Sequence, residues 1–409
     1  MQRNLRIFIS IILPTFILIL GLIWINTFII KSFPKEKEFL PTWASLRSFM
    51  DYGVEPYSSQ ATNRTQLLYY KDLVADDRDP LILDQAFSPI LVFIPLAAIH
   101  DYSIARSIYL IILELFLIAI PVVFLQLQSW KPPWLIMIIF STFVTLMPSS
   151  IQSIISHDPS IFVIGLVMLG LLCLKLNLDE FAGAVFALAI FMPSLTGLLI
   201  IFIFWWVVRN QRWKVLWGFM MTLGLMVVIS IALVPDWIIG FIRAFRIEAA
   251  YKNYLTTRLI LSELIPGFGT KLAILFTGLI SAIIIYEWFV LKKGNFNWFF
   301  WTCSLTISSI SLVGFPVLPN STIILIIPFV YIFVIVSQRM RGKNKWISQI
   351  IILFSVFLSA WGLYLFLIEK NLIHILFLVM FIIIPFVLII CLYWIRWWVV
   401  KYSILQVEL

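Results

Sequence analysis

The stretch Ile108–Leu127 reads IYLIILELFLIAIPVVFLQL and contains one charged residue, Glu114. A helix of about 20 mainly apolar residues is long enough to cross the hydrocarbon core of a bilayer. Three further runs of similar length and character are Ile7–Ile30, Leu272–Leu291 and Ile375–Ile395. These runs predict a polytopic membrane protein with roughly eleven to thirteen spans.

The composition agrees with that interpretation. Hydrophobic residues make up 62% of the chain and charged residues only 12%, whereas about a quarter of a typical soluble domain is charged. Most of the surface therefore faces lipid, and we expect an all-α transmembrane helical bundle. The first run is too long for the core of a signal peptide and no small-residue cleavage site follows it, so residues 1–30 are interpreted as a retained first helix.

The net charge of +9 raises the question of nucleic-acid binding. The basic residues lie in short clusters beside apolar runs, notably Arg209–Lys214, Lys292-Lys293 and Arg339–Lys345. This is the positive-inside pattern of a membrane protein, so no nucleic-acid partner is expected. The clusters and the N-terminus are assigned to the cytoplasm, while the orientation of 149–159 stays open.

Charge also divides the chain into segments. Residues 31–84 hold seven basic and nine acidic residues, which is 16 of the 49 charged residues of the chain. This segment is predicted to be an extracytoplasmic loop with short interfacial helices at Thr42–Met50 and Thr65–Val74. The remaining expected segments are a transmembrane module at 85–235, a second extracytoplasmic loop at 236–271 and C-terminal spans at 272–409.

The sequence lacks the motifs that are typical of several kinds of site. Cys173, Cys303 and Cys391 are scattered through apolar stretches without ligand spacing, so they predict neither a disulfide nor a metal site. The sequence also has no glycine-rich phosphate loop and no nucleophile elbow. No tightly bound cofactor is therefore expected, and dependence on a divalent metal is left open.

A few ionisable residues are placed where chemistry at a membrane surface is possible. Glu38 follows the first span and is either a general base toward a hydroxyl or a solvated charge near the headgroups. His157 is either a donor to a phosphate or hydroxyl or an incidental histidine. Asp158 is a candidate cap for the helix that begins near Ser160. Glu114 lies inside a span and is either a hydrogen-bonding partner of a neighbouring helix or a substrate contact.

The loop 236–271 is rich in basic residues. Its apolar and basic positions fall on different faces of a helix, which indicates an interfacial helix. Arg243 and Arg246 either clamp a lipid phosphate or extend to the headgroups. Pro193 interrupts an apolar stretch, and such interruptions are often found beside a cavity.

The order of motifs over about residues 5–235 resembles the family-87 glycosyltransferases of the GT-C superfamily. The motifs are Glu38-Phe39, Trp43-Ala44-Ser45-Leu46-Arg47, Gly53-Val54-Glu55-Pro56-Tyr57, Phe87-Ser88-Pro89-Ile90-Leu91, Ser156-His157-Asp158-Pro159, Phe181-Ala182-Gly183, Pro193, Trp205-Trp206 and Arg212-Trp213. Two positions depart from the family pattern. Met192 occupies the place of a lysine in a Lys-Pro pair, and His157-Asp158 occupies the place of a Gly-Gln pair.

The resemblance implies a GT-C bundle that transfers a sugar, such as mannose, on the extracytoplasmic face of the plasma membrane. The donor substrate implied is a polyprenyl-phosphate sugar, and the acceptor is a glycan or glycolipid. Glu38 is the implied general base in a transfer with inversion. The residues expected to bind substrate are Arg47, Asp84, His157, Asp158, Arg243, Arg246 and Arg258.

Two other classes of function remain compatible with the sequence. In a transporter or lipid flippase, the polar residues would line a path instead of a reaction centre. In a non-catalytic GT-C-like protein, the chain would support envelope assembly. The long outward loop that begins with a carboxylate beside the membrane favours the enzyme, because a transporter has no need of it.

Overall fold

The computed structural model describes residues 13–33, 36–73, 79–251, 256–292, 294–340, 342 and 344–405. These residues form helices and turns and contain no β-strand. The prediction of an all-α polytopic helical bundle is confirmed. Residues 1–12, the first part of the predicted first helix, lie outside the described residues.

The helices follow one another closely along the chain. The first part contains α1 (Leu13–Ser32), α2 (Leu40–Tyr52), α3 (Ser59–Tyr70), α4 (Phe87–Ile90) and α5 (Ile94–Ala97). The central part contains α6 (Tyr102–Leu127), α7 (Trp134–Thr145), α8 (Pro148–Ile155), α9 (Ser160–Lys175), α10 (Asp179–Ala189), α11 (Pro193–Arg209) and α12 (Trp213–Leu233). The last part contains α13 (Trp237–Tyr251), α14 (Thr257–Leu264), α15 (Gly269–Val290), α16 (Phe296–Ser309), α17 (Ile326–Arg339), α18 (Lys345–Glu369), α19 (Ile373–Leu378) and α20 (Ile384–Leu405).

The described residues also form two short 3-10 helices and one π-helix. Leu91–Phe93 and Pro319–Leu325 are 3-10 helices, and Val379–Ile383 is a π-helix that joins α19 to α20. The 3-10 turn at Leu91–Phe93 separates α4 from α5, before the next long span. That span, α6, begins only after Asp101, whose carboxylate accepts the backbone N–H of Ser103 at 2.7 Å.

Six segments in the described part of the chain are long and apolar enough to cross a membrane. They are Tyr102–Leu127, Trp213–Leu233, Gly269–Val290, Pro319–Arg339, Lys345–Glu369 and Ile373–Val400. Helices α7 and α8 are bent by 53° and give a seventh span if they cross as one unit. The expected number of eleven to thirteen is therefore reached only if shorter apolar helices, such as α9 and α11, also cross.

The first loop contains two short helices, as expected, but with different bounds. Helix α2 ends at Tyr52, and the following Gly53 has a φ of 65°, in the left-handed region that favours glycine. Helix α3 begins six residues before the predicted Thr65, at Ser59, because the side chain of Ser58 accepts the backbone N–H of Ala61. It ends at Tyr70, before the predicted Val74.

Close packing between α10 and α12 supports the middle of the bundle. A methyl group added at Gly183 would lie 2.0 Å from the backbone oxygen of Val215. At Gly218 it would lie 2.1 Å from the backbone oxygen of Glu180. Only glycine permits so short a distance between helix backbones, and small residues serve the same purpose at many interfaces between membrane helices.

Two cavities lie at opposite ends of the bundle, since α11 begins at one of them and ends at the other. The loop cavity has a volume of about 460 Å³ and is lined by Glu38, Asp84, Gln85, Ala86, Ser88, Pro89, Pro159, Ile190, Phe191, Met192, Pro193, Ser194, Leu223, Val227, Trp237, Phe241, Phe245, Phe315, Pro316 and Leu318. The basic cavity has a volume of about 680 Å³ and is lined by Leu127, Gln128, Ser129, Leu174, Lys175, Asn177, Trp206, Asn210, Arg212, Gly294, Phe296, Asn297 and Gln338.

The lining of the basic cavity shows where the charge clusters lie in the bundle. Residues from or next to all three clusters line it, namely Arg212, Gly294 and Gln338. The structure thus brings the clusters to one end of the bundle, as expected. Pro159, at the end of the segment 149–159, lines the loop cavity with Glu38, so it lies at the end of the bundle opposite the clusters.

Candidate active site

Glu38 lies at the loop cavity, half-buried, in the turn between α1 and α2. The turn leads into α2 through Phe39, whose ring stacks on Tyr109 at a centroid distance of 4.2 Å. Pro41 occupies the first turn of α2, where its fixed φ favours the start of a helix. Local sequence and aromatic packing together fix where the first loop meets the bundle.

A second carboxylate, Glu36, fixes the backbone of the same turn. Its side chain is only 5% exposed, and Oε2 accepts the N–H of Glu38 at 2.9 Å and that of Phe39 at 2.8 Å. Its other oxygen, Oε1, accepts the hydroxyl of Tyr102. Burial raises the pKa of Glu36 to about 7, although the N–H of Phe39 and the charge of Arg106 act in the opposite direction.

Arg106 continues this buried network toward the other side of the site. Its guanidinium donates from Nη2 to the backbone oxygen of Phe33 at 2.6 Å and from Nε to Nε2 of His157 at 2.8 Å. The other ring nitrogen of His157, Nδ1, lies 2.9 Å from the backbone oxygen of Ile155. Burial, followed by the charge of Arg106, lowers the pKa of His157 to about 3, so the imidazole is neutral.

Asp84 and Gln85 bring the end of the first loop to the same cavity. Gln85 is held by two hydrogen bonds, because its side-chain oxygen accepts Thr42 Oγ1 at 2.8 Å and its backbone oxygen accepts Tyr57 Oη at 2.6 Å. Burial and the negative charge of Asp84 raise the pKa of Tyr57, so its hydroxyl keeps its proton. Both ends of the 31–84 loop therefore meet at the loop cavity.

Helix α13 covers the cavity with one aromatic face. Trp237, Phe241 and Phe245 are four residues apart and all line the cavity. The helix packs closely on the first loop at Gly240, where an added methyl group would lie 2.9 Å from Cβ of Tyr57. A helix is present in this loop, as expected, and it forms a wall of the cavity.

The interruption predicted at Pro193 is also present and lies at the cavity. Helix α10 ends at Ala189 and α11 begins at Pro193, so Met192 lies between two helices. The carbonyls of Ala189 and Met192 accept the hydroxyl of Thr196, at 3.0 Å and 3.1 Å respectively. The position where the family pattern has a lysine is thus occupied by a methionine that lines the cavity.

Two polar atoms at the cavity have no hydrogen-bond partner among the described residues. They are Oγ of Ser88 and Nε1 of Trp237. Their residues are 2% and 8% exposed, and the helices that carry them, α4 and α13, are in contact. Buried polar groups are normally satisfied, so these two unpartnered groups stand out among the residues that line the cavity.

Other residues expected to bind substrate lie behind the cavity wall. Arg47 is buried and donates to Asp51 and to the backbone oxygens of Ala97 and Ala98, at 3.2 Å and 3.0 Å. His157 is fully buried, and both of its nitrogens contact protein. Asp158 is 1% exposed and accepts the N–H of Ser160 at 2.7 Å, but the N-cap position of α9 is Pro159 and not Asp158.

The three arginines of the second loop lie at the surface. Arg243 and Arg246 are exposed on α13, and Arg258 is exposed on α14. None of them is among the residues that line the loop cavity. Their predicted contact with substrate stays a prediction, as does that of Arg47, His157 and Asp158.

Sequence reasoning missed the buried network of Glu36, Tyr102 and Arg106. A signal existed for Arg106, because an arginine four residues inside an apolar span is costly unless it has a partner. Glu36 gave no such signal, since it stands among alternating lysines and glutamates that are typical of a solvated loop. The intramembrane Glu114 makes one of the two contacts expected for it, a hydrogen bond to a neighbouring helix, which it accepts from Asn26 at 3.2 Å.

Comparison with known proteins identifies the chain. The model of glycosyltransferase family 87 matches residues 88–316, more than half of the 409 residues. No curated protein and no solved structure matches the chain. The matched range begins after Glu38 but includes the cavity residues Ser88, Met192 and Trp237. The chain therefore belongs to glycosyltransferase family 87.

Proposed function

We propose that this membrane glycosyltransferase moves a sugar from a polyprenyl-phosphate donor to an acceptor hydroxyl in the loop cavity, with Glu38 as the general base. The observation that carries the proposal is the lining of that cavity. It combines the carboxylates of Glu38 and Asp84 with a wall that is otherwise largely apolar and aromatic. Such a site suits a substrate that joins a sugar to a long hydrocarbon chain.

The proposed reaction is a single displacement. The acceptor oxygen attacks the anomeric carbon from the face opposite the phosphate, while Glu38 accepts the hydroxyl proton. The bond between the anomeric carbon and the phosphate oxygen breaks, and the electron pair leaves with the lipid phosphate. The configuration of the sugar is inverted, and no nucleotide is needed because the leaving group is already activated.

The apolar part of the cavity supports a lipid donor. Leu223 and Val227 of α12 line the cavity together with the aromatic face of α13. A volume of about 460 Å³ accommodates a sugar with its phosphate and the first part of a prenyl chain, since ligand cavities commonly measure about 300 to 1,000 Å³. The rest of the prenyl chain then extends into the membrane lipids.

The polar part supports a sugar phosphate. Asp84 accepts hydrogen bonds from sugar hydroxyls in this proposal. Ser88 Oγ and Trp237 Nε1 donate to oxygens of the donor headgroup, which satisfies the two unpartnered groups. These neutral donors replace part of the contact that a lysine at Met192 would make.

We place the reaction on the extracytoplasmic face of the plasma membrane. The basic clusters lie at the other end of the bundle, and basic residues accumulate on the cytoplasmic side. The acceptor is a glycan or glycolipid that reaches the membrane surface from outside. Impermeant thiol labelling of a cysteine introduced at Ser59 tests this orientation, with a cysteine at Asn344 as the matched site on the opposite side.

The test of the reaction is transfer of labelled sugar in reconstituted vesicles. Purified protein receives polyprenyl-phosphate mannose or arabinose and a glycolipid acceptor, and the labelled product is counted. Glu38→Gln keeps the size of the side chain but removes the basic oxygen, so transfer should fall by about 10² to 10⁴. Glu55→Gln, an exposed acid in the same loop, is the matched control and should transfer at nearly the unmodified rate.

The outcomes separate the candidate functions. Unchanged transfer by Glu38→Gln would show that another group is the base, and Asp84 would be tested next. Complete absence of transfer with each donor, in a sample whose fold is intact, would contradict the proposal and favour a transporter or an assembly protein.

A further inference from the structure

We infer that Glu36 is a positioning residue that holds the carboxylate of Glu38 at the loop cavity. The inference rests on the proposed role of Glu38 as the base. Glu36 is not among the residues that line the cavity, so it is expected to act through the backbone of Glu38 and not on substrate.

The contacts of Glu36 are directed at the residue that it positions. One carboxylate oxygen accepts the N–H groups of both Glu38 and Phe39, at 2.9 Å and 2.8 Å. Two hydrogen bonds to one oxygen fix two consecutive peptide planes and therefore the direction of the Glu38 Cα–Cβ bond. The shared acceptor also satisfies the N–H of Phe39, the N-cap residue of α2, which has no partner within the helix.

The carboxylate of Glu36 is itself held from the opposite side. Tyr102 donates its hydroxyl to the second oxygen, and its ring lies 5.1 Å from Trp43 and 6.4 Å from Phe39. Both of these aromatic residues are buried in α2 or at its start. The geometry of the turn is therefore set by α6, a long span, and does not depend on the loop alone.

Arg106 connects this turn to the other side of the cavity. Its positive charge lies near Glu36, and it contacts the backbone of Phe33 and the ring of His157. The chain passes from His157 to Pro159, which lines the cavity. One buried network thus relates the position of Glu38 to the wall that it faces.

Position matters because general-base catalysis depends on reach. The base must lie within about 2.6 to 3.2 Å of the atom that carries the proton. A displacement of about 1 Å can reduce the rate of an enzyme about 10²-fold. Loss of the Glu36 acceptor frees the peptide planes of the turn, so the effect should appear in kcat more than in KM.

The experiment compares two substitutions that differ in the acceptor they leave. Glu36→Ala removes the oxygen that holds the turn, and kcat for sugar transfer should fall by about 10- to 100-fold with KM within about threefold. Glu36→Gln retains a side-chain oxygen that can accept the same N–H groups, so kcat should stay within about fivefold of the unmodified enzyme. Glu55→Ala, in the exposed part of the loop, is the matched control and should change neither constant.

The outcomes distinguish this inference from the proposed function. Equal kcat losses in Glu36→Ala and Glu36→Gln, or no loss in either, would overturn the positioning role while Glu38→Gln remains inactive. Normal transfer by Glu38→Gln would instead overturn the function on which the inference rests. If Glu36→Ala does not fold, Tyr102→Phe decides: a kcat reduced about threefold or more at constant KM supports the role, and an unchanged kcat overturns it.

Discussion

The loop cavity and the basic cavity differ in what their polar residues do. In the basic cavity, Lys175 donates to the backbone oxygens of Gln126 and Leu127 at 2.7 Å and 2.8 Å, and to Ser129 Oγ at 2.7 Å. Arg212 pairs with Asp179 and donates to the backbone oxygen of Leu174 at 2.9 Å. Both cations therefore bind carbonyls at helix C-termini, where positive charge is favourable.

The loop cavity is smaller, and the residues that make its buried hydrogen bonds do not line it. Glu36, Arg106 and His157 make the buried contacts, whereas Glu38 and Asp84 lie at the cavity. The comparison teaches that volume and polarity alone do not describe how the two cavities differ. What distinguishes the loop cavity is a second layer of buried residues, Glu36, Arg106 and His157, which supports the residues that line it.

The largest expected difference between the two ends concerns a matched pair of aspartates. Asp84→Asn should reduce sugar transfer by about tenfold to a hundredfold, since a hydrogen bond to a charged group contributes about 1.5 to 3 kcal/mol. Asp179→Asn weakens the pair with Arg212 and should lower the melting temperature of the detergent-solubilised protein. Transfer per folded molecule should be unchanged in that variant.

Steady-state kinetics and a thermal melt on both variants check this prediction. The opposite pattern, with transfer lost in Asp179→Asn and retained in Asp84→Asn, would place the reaction at the basic cavity. Equal losses of transfer in the two variants would show that the ends of the bundle are not separated in function.

The second prediction concerns pH and the network behind the loop cavity. Because burial raises the pKa of Glu36 from 4.5 to about 7, the folded state binds this proton more tightly than the unfolded state. The associated stability is fully present below pH 4.5 and is lost as the pH rises through 7. Between pH 5 and 8 the unmodified protein should therefore lose about 2 to 3 kcal/mol that Glu36→Gln does not lose.

The variant is needed because His157 acts in the opposite direction. Its pKa is lowered to about 3, so its contribution grows as the pH rises from 3 to 6.5 and is the same in both proteins. The difference between their melting temperatures, measured across this pH range, isolates Glu36. A difference that does not change with pH would contradict the burial of an ionisable carboxyl at this position.

The part of the site that sequence could predict is the part that lies along the chain. Apolar runs predicted spans, and Pro193 predicted an interruption at a cavity. Glu38, singled out because it follows the first span, lies at the same cavity, and its role as the base stays a prediction. The basic clusters predicted correctly which loops share one end. Each of these signals is local, because it depends on the composition of a single stretch.

The second layer could not be predicted in the same way. The burial of Glu36 depends on Tyr102 and Arg106, which a separate helix brings to the turn. Residues 36–38 alone look like a solvated charge cluster. The contact of His157 could not be predicted for the same reason. Its neighbours on the chain gave no indication that an arginine would donate to its ring nitrogen.

The third prediction, with a smaller expected effect, compares the substitution of two tryptophans. Trp237 at the loop cavity and Trp206 at the basic cavity both have an indole N–H without a partner among the described residues. Trp237→Phe keeps an aromatic ring but removes the donor. The KM for the lipid donor should rise about three- to tenfold, because one neutral hydrogen bond contributes about 0.5 to 1.5 kcal/mol.

Trp206→Phe is the matched control for this prediction and should leave the KM unchanged. Donor titrations with both variants give the comparison directly. A larger rise in KM for Trp206→Phe than for Trp237→Phe would show that the unpartnered N–H at the loop cavity is not a substrate contact.

The smallest expected effect concerns the exposed arginines of α13. Trp237, Phe241 and Phe245 form the stripe that faces the loop cavity. A helix turns by about 100° per residue, so Arg243 and Arg246 project well away from that stripe. Their side chains are better placed to reach lipid headgroups. Each arginine contributes no more than about 1 kcal/mol there, and this contribution depends on anionic lipid.

The double substitution of both arginines by glutamine should therefore change transfer by about twofold or less in vesicles of neutral lipid, and by more when anionic lipid is included. A loss of tenfold or more in neutral vesicles would instead show that an arginine of α13 bends back to hold the donor phosphate, and the neutral donors Ser88 and Trp237 would then be secondary contacts.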